Sequence, residues 1–412
     1  MLLSKYNFYL HADGNWLIYN VASGNCVVLP ESKFATFKNI ECSGEEIDQY
    51  YSLGFYINNG EDEVQRLLTR SDQCRMYHNK KKYRVLTTTG CNAACPYCYE
   101  AGVKTTTMDR GTAKAVAEFI KNQSRDAKEI EIEWFGGEPL LNTQAIDWIS
   151  KDILQTDNLA KSKYKASIIT NGYLISKKLA TQMVDDWKIY KAQITLDGYK
   201  NEYERVKGLG PGSFERVIHN IDIIVSKGIK TNIRLNFDKS NVSELKKLIE
   251  YLSRLPFKDR IRVYAAPINH GHVENLSDLE RGTKEIYRLL HDYGFMNKLQ
   301  LLPRTMKTPC SASYPGYYMI NADGLIFKCD RKLLPENSVG NVFTQTIDDN
   351  RCKQEWENLP LPEKCTNCRL LPVCWGGCTY ERKNNQGQCH ITDAIVHSCL
   401  ELLMSDYLSY IS

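Results

Sequence analysis

Short apolar segments alternate with longer amphipathic ones through the middle of this 412-residue chain. The short segments are rich in Ile, Val, Thr and aromatic residues and are bounded by Gly, Asn or Pro, which is typical of strands. They lie at Tyr83–Thr89, Ile130–Phe135, Ala166–Thr170, Ala192–Leu196, Thr231–Phe237 and Ile261–Ala266. The segments between them, such as Arg110–Lys121, Ser213–Lys227 and Val242–Ser253, have helical spacing. Six strand–helix units predict an α/β fold with a parallel sheet. Because six units are too few for a closed eight-stranded barrel, we expect an open, partial (β/α)6 TIM-like barrel.

The N-terminal region follows a different pattern. Asp13-Gly14, between the apolar segments Asn7–Leu10 and Trp16–Tyr19, is typical of a two-residue hairpin turn. A third strand is expected near 26–29, and helices are expected near 32–39, 45–53 and 62–70. The polar stretch from Ser71 to Lys82 is interpreted as a solvated linker. We therefore predict an α+β module at 1–80, the barrel at 81–300 and a cysteine-rich domain at 301–412.

Composition narrows the class of protein. The net charge of +4 is small for this length and gives no reason to expect nucleic acid as a partner. No apolar run is long enough to span a bilayer, and the first residues lack the uninterrupted apolar stretch of a signal peptide. We therefore expect no association with a membrane, and we expect the protein in the cytoplasm. Disulfides do not persist in a reducing compartment, so many of the fifteen cysteines are expected to be metal ligands.

Three of these cysteines, Cys91, Cys95 and Cys98, follow the first predicted barrel strand in C-x3-C-x2-C spacing. Three close thiolates can hold three irons of a 4Fe–4S cluster and leave the fourth iron open for chemistry. The alternative is a zinc site, which normally uses paired C-x2-C units and a fourth ligand. With the aromatic Tyr97 before the last cysteine, the loop resembles the cluster motif of the radical S-adenosylmethionine (SAM) enzymes. The resemblance implies that the open iron chelates S-adenosylmethionine, whose reductive cleavage gives a 5′-deoxyadenosyl radical that abstracts hydrogen from the substrate.

Two further segments resemble cofactor-binding motifs of the same family. The segment Gly136-Gly137-Glu138-Pro139 follows the second predicted strand and is similar to the GGEP motif, which implies contact with the cofactor amino group. The segment around Thr195, at the end of the fourth strand, is similar to the S-x-D-G segment, with threonine in place of serine. Arg205 stands where related enzymes often keep an arginine for the cofactor carboxylate. Turn chemistry is the alternative explanation for the Asp-Gly pair in the S-x-D-G-like segment.

The last hundred residues carry a second cysteine array. Its members are Cys310, Cys329, Cys365, Cys368, Cys374, Cys378 and Cys389. The array resembles the SPASM domain, which carries two auxiliary 4Fe–4S clusters, although C-x2-C is also a zinc spacing. By this resemblance Cys365, Cys368, Cys374 and Cys389 hold one cluster, and Cys310, Cys329 and Cys378 hold the other. Cys399 is interpreted as a buried residue of the terminal helix.

The second auxiliary cluster is then one thiolate short. We hypothesise an open coordination site that a substrate cysteine could fill, with Cys352 as the competing ligand. Asp330, next to Cys329, matches an aspartate that acts as general base in sulfatase-maturing relatives, and a positioned carboxylate suits that role. The alternative is a charged residue on a cysteine-rich turn.

The leading hypothesis is a radical SAM oxidoreductase that modifies a ribosomally made precursor peptide by a thioether or carbon–carbon cross-link. The N-terminal module resembles the peptide-binding winged-helix modules of some maturases, and a structural cap on the barrel is the alternative. An electron donor such as flavodoxin or ferredoxin is the expected second partner. The second hypothesis is an anaerobic sulfatase-maturing enzyme that oxidises Cys or Ser to formylglycine. A non-catalytic iron–sulfur or zinc protein is the third.

Overall fold

The computed structural model of the protein describes residues 1–75, 80–156, 163–268, 276–296, 302, 303, 305–331, 333–384, 389 and 391–411. The strands are β1 (Leu2–Leu3), β2 (Asn7–Ala12), β3 (Asn15–Asn20), β4 (Cys26–Pro30), β5 (Tyr56–Ile57), β6 (Lys80–Thr88), β7 (Glu129–Gly136), β8 (Lys163–Thr170), β9 (Ile189–Leu196), β10 (Lys230–Phe237), β11 (Ile261–Pro267), β12 (Tyr317–Ile320), β13 (Leu325–Phe327), β14 (Gly340–Asn341) and β15 (Thr346–Ile347). The α-helices are α1 (Glu31–Asn39), α2 (Gly44–Ser52), α3 (Glu63–Arg75), α4 (Arg110–Gln123), α5 (Thr143–Leu154), α6 (Lys177–Asp185), α7 (Asn201–Lys207), α8 (Ser213–Ser226), α9 (Val242–Ser253), α10 (Leu276–Asp292), α11 (Asp349–Cys352), α12 (Glu363–Thr366), α13 (Leu371–Cys374), α14 (Thr379–Lys383) and α15 (Asp393–Ile411).

The described chain divides into two compact units, of which one is Tyr77–Glu274 with Ser311–Leu359. Its sheet has the order β11-β10-β9-β8-β7-β6-β12-β13-β14-β15. The strands from β6 to β11 are parallel and neighbours in chain order, which confirms the six predicted strands. The sequence did not predict the extension of this sheet by β12, which runs parallel to β6 and begins an antiparallel meander.

The two faces of the parallel sheet differ in chemistry because side chains alternate along a strand. On β7, Ile130, Ile132 and Trp134 are fully buried, whereas Glu131 and Glu133 on the opposite face are half-buried. Fully burying an apolar side chain of this size is worth about 1.5–3 kcal/mol, so the apolar face supplies much of the stability. The other face is left polar, and we call it the polar face.

The prediction of a solvated linker from Ser71 to Lys82 is wrong at both ends of that stretch. Helix α3 continues through Ser71, which is buried, to Arg75, and strand β6 begins at Lys80. The linker's remaining residues, 76–79, lie outside the described part of the chain. Lys80 and Lys82 are not a solvated run, because they form ion pairs with Glu131 at 2.9 and 3.6 Å across the β6–β7 pair. Charge composition suggested a linker, but alternation along a strand brings these lysines opposite glutamates.

The other unit comprises Met1–Met76, Asn275–Cys310 and Pro360–Ser412. Strands β2, β3 and β4 form an antiparallel sheet, and the predicted turn at Asp13 and Gly14 has φ values of 48° and 70°, as a two-residue hairpin requires. Phe8 of β2 belongs to a buried cluster with Val396 and Leu400 of α15, so the terminal helix packs against the N-terminal strands. None of the helices in the described ranges is both long and apolar enough to cross a bilayer.

Candidate active site and metal centres

The cysteine loop follows β6 at the carboxyl edge of the parallel sheet. Cys91 is exposed, whereas Cys95 and Cys98 are half-buried. The Ala93 N–H donates to the Cys91 sulfur at 3.3 Å. Burial raises the pKa of Cys91, and the neighbouring charges of Cys95 and Cys98 raise it further, so the three thiols lie within electrostatic reach of one another. Metal binding here therefore releases protons.

The donor set of this loop is three thiols. Among the described residues, no three His, Cys, Asp or Glu side chains converge closely enough to hold one metal ion. A tetrahedral zinc site requires every sulfur about 2.3 Å from one point. A 4Fe–4S cluster instead gives each thiolate its own iron, so the sulfurs stand farther apart. Three thiols on one loop supply the donors that such a cluster uses.

The glycine-rich motif packs directly on the cysteine loop. A Cβ atom on Gly136 would lie 2.1 Å from the Thr88 carbonyl oxygen, and one on Gly137 would lie 2.4 Å from the Gly90 oxygen. The Glu138 N–H donates to the same Gly90 oxygen at 2.9 Å. Both glycines are therefore required by close backbone approach, and this approach sets the spacing between the two motifs.

Glu138 makes contacts that the sequence did not reveal. Its carboxylate is fully buried and accepts hydrogen bonds from the Leu140 N–H at 3.0 Å, the Thr170 hydroxyl at 2.7 Å and the Asn171 N–H at 2.8 Å. Burial raises the pKa of Glu138, and these donors oppose the rise. The carboxylate thus ties the loop after β7 to the end of β8. The Asn171 amide also donates to the Asn92 side chain at 2.7 Å, which connects β8 to the cysteine loop.

A buried ion pair lies beneath the cysteine loop. The Lys207 ammonium lies 2.8 Å from the Asp197 carboxylate, and both side chains are almost fully buried. Asp197 also accepts from the Tyr97 hydroxyl at 2.6 Å and the Asn236 amide at 3.1 Å. The Lys207 carbonyl accepts from the Ala94 N–H at 2.8 Å. The ends of β9 and β10 and helix α7 therefore position the cysteine loop, through Tyr97.

The sequence singled out Arg205 of helix α7 and missed Lys207, the buried cation of that helix. Arg205 is 69% exposed and pairs with Glu202 of its own helix at 2.6 Å. Lys207 is the buried one, and a signal for it existed, because Tyr203, Val206 and Lys207 share one helix face at i, i+3 and i+4. The roles predicted for Arg205 and Thr195 stay predictions.

Thr195 lies half-buried on the polar face, where it pairs in register with Arg234 of β10. The Arg234 Nε–H donates to the Asn236 side-chain oxygen at 2.8 Å. Pro139 begins the short 3-10 helix after β7, and its carbonyl accepts from the Thr87 hydroxyl at 3.1 Å. Each of these predicted residues therefore lies on or beside the carboxyl ends of the parallel strands.

Asp330 is part of a charged group on the polar face. Arg84 of β6 lies 2.6 Å from the Asp330 carboxylate and 2.6 Å from Glu133. The Tyr99 hydroxyl, directly after the cysteine loop, donates to the same Asp330 oxygen at 3.2 Å. Burial raises the pKa of Glu100 to about 7, and the charge of Asp330 contributes to the rise. The sequence predicted Asp330, but it missed these neighbours, because Arg84 and Asp330 are distant in sequence.

The C-terminal cysteines lie on short helices and turns. Cys374 ends α13 and is followed by Trp375, Gly376 and Gly377, with φ values of 51°, 75° and 79°. Burial raises the pKa of Cys374, while the nearby N–H groups of Gly377 and Gly376 oppose the rise. The Gly377 N–H donates to the Cys374 carbonyl at 3.0 Å. Successive N–H groups in such conformations form concave anion sites common at iron–sulfur centres. This chain's residues thus fit a cluster here. The buried Trp375 is held by its ring N–H, which donates to the Met306 carbonyl at 2.9 Å.

Cys389 and Cys399 have different surroundings. The negative charge of Cys389 raises the pKa of both Cys365 and Cys374, after the larger effect of burial. Cys399 is 1% exposed within α15, and its charge acts on Tyr287. This placement agrees with the choice of Cys389 as a candidate ligand, and the ligand set itself stays a prediction.

The remaining array members occupy both units. The Leu370 N–H donates to Cys368 at 3.4 Å, Cys310 contacts the Thr379 hydroxyl at 3.1 Å, and Cys378 precedes α14. Cys329 belongs to the unit that contains the parallel sheet, and its thiol donates to Asp330 at 3.8 Å.

Cys352, the competing ligand, lies in the same unit as Cys329 and is buried in α11. Burial raises the pKa of Cys352 to about 11, with Lys328 lowering it and Glu357 raising it. Its strongest electrostatic neighbours are therefore not cysteines.

Residues 85–252 match the Radical SAM superfamily. Over 97% of its length the chain is 22% identical to the radical SAM cyclopropyl synthase TigE of Paramaledivibacter caminithermalis, of which 96% is covered. It is 24% identical over 72% of its length to a cysteine-type anaerobic sulfatase-maturating enzyme of Clostridium novyi, of which 86% is covered.

Among solved structures, anSMEcpe with bound AdoMet has a TM-score of 0.59 at 17% identity, covering 80% of this chain and 94% of the other. Streptococcus suis SuiB bound to precursor peptide SuiA has a TM-score of 0.52 at 16% identity, covering 93% and 96%. At such identities these likenesses concern the fold. The matched residues contain the cysteine loop and the glycine-rich motif that packs on it. Residues 85–252 are therefore a radical SAM domain, and the chain is related to the radical SAM enzymes that modify peptides and mature sulfatases.

Proposed function

We propose that this enzyme is a peptide maturase that installs a thioether or carbon–carbon cross-link in a ribosomally made precursor peptide. The observation that carries the proposal is the anchoring of the cysteine loop. It is held by Gly137 and Glu138 on one side and by the Asp197–Lys207 pair on the other. The relatives named for peptide or protein substrates support the substrate class.

In this proposal Cys91, Cys95 and Cys98 hold the radical SAM cluster. When bound, the cluster and S-adenosylmethionine supply a 5′-deoxyadenosyl radical that abstracts a hydrogen atom. The chain's residues orient the reactants and exclude water. Carbonyl oxygens beside Gly137 are candidates to accept hydrogen bonds from the cofactor amino group, because the Glu138 carboxylate already serves three protein donors. Rigid placement of reacting groups lowers the barrier by removing motion that would otherwise be lost at the transition state.

We also propose that the parallel sheet curves into a partial barrel around its polar face. Strands β7 and β11 are four steps apart, which is about 19 Å in a flat sheet. Burial raises the pKa of Tyr264 on β11, and the charge of Glu133 on β7 contributes to the rise. Electrostatic interactions weaken with distance, so an influence between these two side chains supports a separation shorter than in a flat sheet.

The proposal divides the chain by role. We assign peptide binding to residues 1–80, radical chemistry to 81–300 and two auxiliary clusters to 301–412, a division distinct from the two compact units. Cys365, Cys368, Cys374 and Cys389 would hold one auxiliary cluster, and Cys310, Cys329 and Cys378 the other. We place the enzyme in the cytoplasm with a flavodoxin or ferredoxin as electron donor.

Formylglycine formation is the second candidate function, and Asp330 is the observation that favours it. A general base for oxidation of a Cys or Ser side chain must be held in place, and Asp330 is held by its ion pair with Arg84 at 2.6 Å. Its hydrogen bond with Tyr99 places it beside the cysteine loop. The salt bridge with Arg84 must yield or turn for Asp330 to reach a substrate.

Anaerobic co-expression with short peptides encoded beside the gene, followed by mass spectrometry, tests the proposal. A peptide that loses two hydrogens and gives fused fragments, only when Cys91 is intact, would support a cross-linking maturase. The Cys91→Ala variant is the matched inactive control, and Cys26→Ala, an exposed cysteine outside the arrays, should behave like the parent. Conversion of a sulfatase-derived peptide to an aldehyde, with neighbouring peptides unmodified, would assign the second function. Absence of 5′-deoxyadenosine after reduction would contradict both.

A further inference from the structure

Arg382 lies among the C-terminal cysteines, on the short helix α14. Its backbone N–H donates to the Cys378 carbonyl at 3.0 Å, and its Nη1 donates to the Pro360 carbonyl at 3.2 Å. A Cβ atom built on Gly376 would lie 3.3 Å from Arg382 Cδ and 3.5 Å from the Cys365 sulfur. The arginine side chain and that sulfur are therefore close neighbours across one glycine.

The guanidinium has an incomplete set of partners. Its Nε is buried and has no hydrogen-bond partner, and within the described chain no carboxylate forms an ion pair with it. Cys378 directly precedes the helix that carries Arg382, and the Cys310 sulfur contacts the Thr379 hydroxyl of that helix at 3.1 Å. Arg382 is half-buried, and a partly desolvated cation is stabilised by a nearby anion. The cysteines, once ionised, are the anions that the structure offers it.

We propose that Arg382 is the shared counter-cation of the two auxiliary clusters. This inference rests on the proposed function only for the ligand assignment, in which Cys365 and Cys374 belong to one cluster and Cys310 and Cys378 to the other. Because it lies beside Cys365 of one set and on the helix that Cys378 of the other set directly precedes, Arg382 stabilises the more negative, reduced state of each centre. Net charge and hydrogen bonds to the sulfurs are established determinants of cluster potential. Arg382 therefore raises the reduction potentials of both auxiliary clusters, which makes each cluster a better electron acceptor.

Redox titration of the reconstituted full-length enzyme, followed by electron paramagnetic resonance, tests this role. Arg382→Gln should lower both auxiliary potentials by at least about 59 mV, which is a tenfold change in the reduction equilibrium. The radical SAM cluster should keep its potential. Arg382→Lys should retain most of the parent values. Lys33→Gln is the control, because it removes a positive charge of the same compact unit that is 62% exposed and lies outside the cysteine array.

Auxiliary potentials that shift no more in Arg382→Gln than in Lys33→Gln would overturn the proposal. If Arg382→Gln loses auxiliary iron, iron retention becomes the readout. Retention of auxiliary iron in Arg382→Lys would then support a need for positive charge at this position. Equal iron loss in Arg382→Lys and Arg382→Gln would show a need for the shape of arginine and would overturn the proposal. The iron content of the parent enzyme distinguishes this result from failure of the proposed function. Iron near four rather than about twelve atoms per chain would refute the two auxiliary clusters themselves.

Discussion

Replacing Lys207 with methionine tests whether the buried ion pair supports the cysteine loop. Lys207 and Asp197 lie 2.8 Å apart, with 5% and 1% of their side chains exposed. Removing one partner of a buried pair leaves the other charge uncompensated and costs about 3–5 kcal/mol. Asp197 keeps its hydrogen bonds from Tyr97 at 2.6 Å and Asn236 at 3.1 Å. We therefore expect a loss near the lower end, about 3 kcal/mol.

Urea unfolding of the cluster-free protein measures this loss without metal. Asp197→Asn should also be destabilised, because it leaves the Lys207 ammonium buried without its anion. The double variant leaves no charge buried, so its loss should fall short of the sum of the single losses by about 1–3 kcal/mol. Arg205→Met is the matched control, since that side chain is 69% exposed, and it should stay within about 0.5 kcal/mol of the parent.

Hydrogen exchange locates the effect. The Ala94 amide, which donates to the Lys207 carbonyl, should exchange faster in Lys207→Met than in the parent. A Lys207→Met protein that unfolds at the parent urea concentration would refute the reasoning. Single-variant losses that simply add would also refute it, because they would show that the two charges do not interact.

Three further predictions follow from single positions. Gly137→Ala should abolish iron binding by the cysteine loop, because its Cβ would lie 2.4 Å from a loop carbonyl oxygen. Gly111→Ala on α4 is the control, because its Cβ would meet no atom closer than 3.5 Å, and it should bind iron normally. Iron assays of both variants check this. Cys389→Ala should lower auxiliary iron content and Cys399→Ala should not, since Cys399 lies buried in α15; equal iron loss in both would contradict the ligand assignment. Burial lowers the pKa of His291, but hydrogen bonds with its two aspartate neighbours outweigh this and raise it. The protonated His291 therefore stabilises the fold by up to about 1 kcal/mol at pH values below its ordinary pKa of about 6.5. This contribution is lost as the pH rises through the pKa of His291 in the folded protein. The free energy of unfolding of His291→Gln, measured against pH, should lack this dependence.

The sequence alone determined the features that depend on near neighbours along the chain. The spacing of Cys91, Cys95 and Cys98, the two glycines before Glu138 and the alternation of strands and helices are local patterns. Local patterns suffice for them because a short peptide has few conformations that bring three thiols together or bury one face of a strand. The six parallel strands and the N-terminal hairpin appeared where periodicity and turn residues predicted them.

Only the tertiary structure decided which charges are buried and which residues they meet. Lys207 pairs with Asp197 because helix α7 turns one face beneath the cysteine loop, while Arg205 on the opposite face stays in water. Arg84 meets Asp330 from 246 positions away. Pairings of this kind depend on which strand edges and helix faces pack together, and composition carries no record of that. The same reason explains why a run of lysines suggested a linker but forms a strand opposite glutamates.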